Sequence, residues 1–83
     1  MNLIYSPEAI KKLKRINPKD LSKIRRKIQE IKENPLCGKN LKGEMTGLKS
    51  HKTWPLRIIY TVNPAINTIY IITIDYRGSV YKS

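Results

Sequence analysis

Two runs, Leu56-Arg57-Ile58-Ile59-Tyr60-Thr61-Val62 and Ile69-Tyr70-Ile71-Ile72-Thr73-Ile74-Asp75-Tyr76, decide the fold of this chain. Both are dominated by β-branched and aromatic residues, the types that fit a pleated, half-buried surface, so both are predicted strands. Between them, Asn63-Pro64-Ala65-Ile66-Asn67 has the composition of a turn. A connection this short makes the pair antiparallel, with partners whose numbers sum to roughly 131 to 133. Arg77 then falls opposite residues 54–56 and beside Arg57, although the two are far apart in sequence. Alternation places Leu56, Ile58, Tyr60 and Val62 on one face of the first strand, the face expected to meet helices. Arg57, Ile59 and Thr61 take the other, more open face.

Working outward, Leu48–Trp54 is a further, more polar strand that turns at Pro55, and Lys39–Gly47 reads as a polar loop. Upstream the apolar period changes from two to helical. Ala9, Ile10, Leu13 and Ile16 form one stripe, started by Ser6-Pro7-Glu8 with a hydroxyl cap, a first-turn proline and an acid at the positive end of the dipole. Asn17-Pro18 ends that helix and starts another, in which Leu21, Ile24, Ile28 and Ile31 make a second stripe until Asn34-Pro35. Met1–Tyr5 is a short strand. The expected fold is therefore α+β: an N-terminal strand, an antiparallel helical hairpin, then a three-stranded antiparallel meander, with the helices on one face of the sheet. One domain is expected over residues 1–83, with a thin core, since a chain this short buries only roughly 60–65% of its unfolded surface.

Composition narrows the function. Cys37 is the only cysteine, so no internal disulfide forms, and with no ligand partner at metal spacing it reads as an idle or buried thiol. No signal peptide is recognised, and no run approaches the roughly 18 apolar residues of a membrane span, so the chain reads as a cytoplasmic protein with no membrane partner. The formal charge is +11, and residues 1–42 carry 12 Lys/Arg against 4 Asp/Glu. Such an excess attracts polyanions, although cations on helix faces are ordinarily just solvated.

Cations inside strands are a different matter. Two guanidiniums held side by side repel unless an anion joins them, and the planar Arg fork donates two hydrogen bonds to a phosphate at once. Lys49, His51 and Lys52 come from the preceding strand, with Lys42 and Trp54 on its flanks and Tyr81 four residues beyond Arg77. Cleavage of RNA through its 2′-OH needs a proton acceptor, cations around the crowded phosphate and a proton donor for the leaving oxygen, and cationic neighbours make a Tyr or Lys a better base. Glu44 and Asp75 are the only acids after residue 43, so neither a metal nor another cofactor is expected. The plainer readings are an Arg57–Asp75 pair, a Tyr81 that plugs apolar surface, a solvated His51, and a Trp54 that is a partly buried anchor more readily than a base-stacking platform.

Leu41-Lys42-Gly43, Gly47-Leu48-Lys49-Ser50-His51-Lys52, Leu56-Arg57-Ile58-Ile59-Tyr60 and Ile74-Asp75-Tyr76-Arg77-Gly78-Ser79-Val80-Tyr81-Lys82 together resemble the RelE/ParE superfamily, the toxins of type II toxin–antitoxin pairs. The resemblance spans nearly the whole chain and implies the same strand and helix order. It further implies that Arg57 and Arg77 match phosphate-contacting arginines, Tyr81 a C-terminal tyrosine, and Lys49 and Lys52 the basic residues of the preceding strand. The RelE branch cleaves messenger RNA in the ribosomal A site without metal, whereas the ParE branch poisons DNA gyrase. The joint presence of Arg57, Arg77 and Tyr81 favours the nuclease branch; a gyrase inhibitor and an inactive RNA-binding relative are the alternatives. An acidic antitoxin, the ribosome and mRNA are the implied partners, in a toxin–antitoxin hetero-oligomer. Tyr76, where many relatives carry His, and Leu56, where many carry an aromatic, depart from the pattern.

Overall fold

The end of the first strand explains how the helices are set on the sheet. In the computed structural model, which describes residues 1–76, strand β1 (Asn2–Tyr5) leads directly into Ser6. The Ser6 backbone N–H donates to the carbonyl of Ile71 at 2.9 Å, and its hydroxyl donates to the carbonyl of Ile72. The same hydroxyl accepts from the N–H of Ala9 at 3.0 Å, capping helix α1 (Pro7–Arg15). Asn17 caps helix α2 (Pro18–Glu33) in the same way, accepting from the Asp20 N–H at 2.9 Å. Both caps and both Pro-first turns fall where the sequence signals put them.

The remaining elements are β2 (Lys39–Asn40), β3 (Lys49–Thr53), β4 (Leu56–Asn63) and β5 (Thr68–Tyr76). They form a five-stranded mixed sheet ordered β1-β5-β4-β3-β2, in which β1 runs parallel to β5 and the other pairs are antiparallel. The expected meander is β3-β4-β5. The stretch expected to be only loop, 39–47, departs by contributing β2 as a two-residue edge strand and a short 3-10 turn at Gly43–Met45. Two pairs, Lys39 with Ser50 and Asn40 with Lys49, suffice for β2, too little for any sequence period to reveal.

One core lies between helices and sheet. Ala9, Ile16, Ile24, Ile28 and Ile31 from the helical layer meet Leu56, Ile58, Tyr60, Ile69, Ile71 and Ile74, all buried. In β4 these are the alternate residues of the face predicted to meet the helices. In β5 the alternation is broken: Ile69 and Ile71 are two apart, Ile71 and Ile74 three. Across the strand, Tyr60 pairs with Ile71 but Ile59 with Thr73, so Ile72 is the extra residue of a β-bulge. An inserted residue reverses the side-chain faces beyond it, which turns Ile74 into the core and sends Thr73 and Asp75 to the far side. The pair sums, 131 before the bulge and 132 after it, lie within the expected register.

Tyr60 ties the link after α2 to this core. Its hydroxyl donates to the Pro35 carbonyl at 2.8 Å and accepts from the Gly38 N–H at 2.9 Å. Burial, with Cys37 beside it, pushes that hydroxyl up to about 12. A Cβ at position 38 would lie 2.6 Å from the Tyr60 oxygen, so only glycine permits this approach. Cys37 is exposed, with its sulfur 3.9 Å from the Tyr60 hydroxyl.

Candidate functional site

The register brings residues from three strands into one row. Lys52 on β3 pairs with Arg57 on β4, and Arg57 pairs with Asp75 on β5. The row lies on the face away from the helices, followed along the strands by Ser50, Ile59 and Thr73. Arg57 is only 5% exposed, which corrects the expectation of an open position. Its strand is central, flanked by β3 and β5, and its face also carries Ile59 and Ser50, at 1% and 3%. A cation so placed is held by the sheet. Like charges directly opposite each other in a sheet are destabilising, and Lys52 stands directly opposite Arg57.

Asp75, the acid in register with this row, has both carboxylate oxygens engaged. Lys12 of α1 donates to Oδ2 at 2.6 Å, and the Tyr76 backbone N–H donates to Oδ1 at 2.8 Å. The strand end is also fixed one residue on, where the Tyr76 hydroxyl donates to Asp20 Oδ2 at 3.1 Å. Desolvation and the Asp20 carboxylate push that hydroxyl above its ordinary value.

The other residues singled out from sequence do not join the row. His51 pairs with Ile58 and so faces α2; its side chain is 16% exposed, with Nε2 3.5 Å from Glu30 Oε1. Hydrogen bonding from Lys27, the charge of Lys27 and then His51 hold the Glu30 carboxyl below the usual range. Lys49 is on the same face as His51 and donates to Asn40 Oδ1 at 2.6 Å. Lys42 is exposed in the β2–β3 connection. Trp54, expected to be a partly buried anchor, is 71% exposed at the β3–β4 turn, where its carbonyl accepts from Lys23 at 3.4 Å. It lies one residue beyond the last β3–β4 pair, Thr53 with Leu56. Arg77 and Tyr81 lie outside the described residues.

Ser50 was missed from sequence. It is buried on the face of the row, and its hydroxyl has no hydrogen-bond partner among the described residues. The signal was available, because Ser50 shares the parity of Lys52.

A second feature lies on the helical layer. Tyr5, Ile10, Leu13, Leu21, Ile24 and Ile28 line an apolar groove of about 340 Å³, rimmed by Lys14 and Arg25. Ile10, 46% exposed, is its most open apolar wall among the exposed large hydrophobics. No helix among the described residues is long and apolar enough to cross a membrane.

No curated protein sequence matches the chain. Among solved structures, a chain of the YoeB–YefM complex from Staphylococcus aureus is 30% identical over 93% of this chain and 97% of that one, with a TM-score of 0.75. A chain of the toxin–antitoxin complex RelBE2 from Mycobacterium tuberculosis is 23% identical over 92% and 96%, with a TM-score of 0.83. The isolated E. coli RelE toxin is 20% identical over 96% and 89%, with a TM-score of 0.79. The last two show the fold alone. The family model described as the ParE toxin of the type II toxin–antitoxin system parDE matches residues 3–81. With nearly its whole length matched, the chain belongs to the ParE toxin family, within the RelE/ParE superfamily.

Proposed function

We propose that this toxin is a ribosome-dependent endoribonuclease that cleaves mRNA in the A site, without a metal, by attack of a 2′-OH on the adjacent phosphate. The observation that carries this reading is the direct cross-strand pairing of Lys52 with Arg57 on the face opposite the helices. There the two cations stabilise the charge that builds on the phosphate as the 2′-oxygen bonds to phosphorus and the 5′-oxygen leaves. The products are a 2′,3′-cyclic phosphate and a 5′-hydroxyl, and the proton lost by the 2′-OH equals the one the leaving oxygen needs. The sequence resemblance assigns the second guanidinium to Arg77 and proton handling to Tyr81. Lys49, Lys42, His51 and Trp54 take the outer role of contacting RNA away from the scissile phosphate.

An acidic antitoxin is the regulatory partner in this reading. Neighbouring structures are complexes of related toxins with antitoxins, and the groove rimmed by Lys14 and Arg25 suits an acidic amphipathic segment that folds on binding. The family match favours a second reading, a ParE-type inhibitor of DNA gyrase that performs no cleavage. Primer extension on cellular messages after induction separates the two. Codon-positioned cuts that vanish in Arg57→Ala support the nuclease; uncut messages with arrested replication and DNA damage support the gyrase inhibitor.

A further inference from the structure

Among the described residues, the buried polar or charged ones are Ser6, Asp20, Ser50, Arg57 and Thr68. The fold accounts for three of them. Ser6 caps α1 and donates to the Ile72 carbonyl. Asp20 accepts from Asn17 Nδ2 at 3.0 Å and from the Tyr76 hydroxyl at 3.1 Å. Thr68 donates to the Ile66 carbonyl at 2.9 Å. Arg57 belongs to the proposed phosphate site. Ser50, 3% exposed, differs from all of these: its hydroxyl has no hydrogen-bond partner among the described residues. A buried hydroxyl left without a partner costs free energy that an alanine would not, so the fold gives no reason for it.

Its place in the sheet supplies one. Ser50 precedes Lys52 by two residues on β3, which puts both side chains on the face away from the helices, about 7 Å apart along the strand. It pairs with Ile59, so Arg57 is its diagonal neighbour on β4. Depth increases across the three: Lys52 is exposed, Arg57 is 5% exposed and Ser50 is 3% exposed. A phosphate that reaches Arg57 therefore comes to the depth of Ser50. A hydroxyl there adds a hydrogen bond without adding a third cation, whose repulsion of Lys52 and Arg57 the sheet would have to bear.

We propose that Ser50 is a phosphate-contacting residue of this site: its hydroxyl donates to a non-bridging oxygen of the phosphate held by Lys52 and Arg57. It carries no charge and moves no proton. The inference rests on the reading of Lys52 and Arg57 as a phosphate site.

The experiment compares Ser50→Ala with wild type on the purified full chain. It reads affinity for a single-stranded 2′-O-methyl RNA oligonucleotide over a range of salt concentrations, together with the thermal midpoint. Ser50→Ala weakens binding about tenfold, the size of one hydrogen bond to a charged group. Its salt slope stays that of wild type, whereas Lys52→Gln lowers the slope by about one. The midpoint of Ser50→Ala stays level or rises, because no buried hydroxyl is left without a partner.

Wild-type affinity in Ser50→Ala overturns the proposal and leaves a hydroxyl that the fold merely tolerates. A lowered midpoint also overturns it, since the hydroxyl would then serve the fold. So does a salt slope reduced as in Lys52→Gln, which would mean that Ser50 acts by placing the cations. The underlying reading fails separately: it falls if Arg57→Gln binds the oligonucleotide as tightly as wild type, whatever Ser50→Ala does.

Discussion

The two faces of the sheet use the same strands for opposite purposes. On the helical face, Leu56, Ile58, Tyr60, Ile69, Ile71 and Ile74 are closed over by α1 and α2, and the polar atom of Tyr60 is satisfied twice. On the other face β4 carries Arg57, and the neighbouring β3 carries Lys52 and a Ser50 hydroxyl with no hydrogen-bond partner among the described residues. Charge that stability alone would avoid is kept there at fixed positions. The difference teaches that one face specifies the fold, while the other carries the cations on which the proposed phosphate site rests. The single residue Ile72 divides the roles within β5, because its bulge sends Ile74 to one face and Asp75 to the other.

Substitutions test that division, and the largest change in stability is expected in the core. Ile58→Ala, at a position 0% exposed, should cost about 2–5 kcal/mol, read as a lower denaturation midpoint. Lys52→Gln, on an exposed side chain of the other face, should move the midpoint by less than about 0.5 kcal/mol. Comparable losses from the two would erase the contrast.

A smaller effect is expected at Tyr60. Tyr60→Phe leaves the Pro35 carbonyl and the Gly38 N–H without their partner and should cost about 1–3 kcal/mol. Its titration sharpens the test. The folded hydroxyl, raised from 10 to about 12 by burial first and by Cys37, keeps its proton after the unfolded one has lost it. That stabilisation is complete below pH 10 and is lost as pH rises through about 12. Tyr5 and Tyr76 are raised as well and add to the fall. Unfolding followed from pH 9 upward should therefore decline less steeply in Tyr60→Phe than in wild type, and identical slopes would refute the assignment.

The smallest effect is expected where the helical layer meets the bulge. Ser6→Ala removes the α1 cap and the donor to Ile72, at about 1–2 kcal/mol in thermal unfolding. A neutral result would mean that the bulge holds without the helix.

Much of this was legible in the sequence. The Ser6-Pro7 and Asn17-Pro18 starts are local signals, and the two apolar runs around the turn carry their own register. The bulge was less visible, because Ile71, Ile72 and Thr73 are all good strand formers. Only the three-residue step from Ile71 to Ile74 marks it. At the site, alternation in β3 already separates Lys49 and His51 from Lys52, yet proximity in sequence groups them. Burial of Arg57 was not readable, because a strand's position within a sheet depends on pairings that its own residues do not encode. The Lys12–Asp75 pair spans 63 positions and has no sequence period at all.

The central claim is that Lys52 and Arg57 form the phosphate site of a nuclease. Its most direct test is cleavage of mRNA on programmed ribosomes by the purified chain, comparing wild type with Lys52→Gln and Arg57→Gln at matched thermal midpoints. The account predicts A-site cuts by wild type and losses of about 100-fold or more in single-turnover rate for Arg57→Gln, with a smaller loss for Lys52→Gln. Cleavage at the wild-type rate by both variants, or no cleavage by wild type together with inhibition of gyrase, would contradict it.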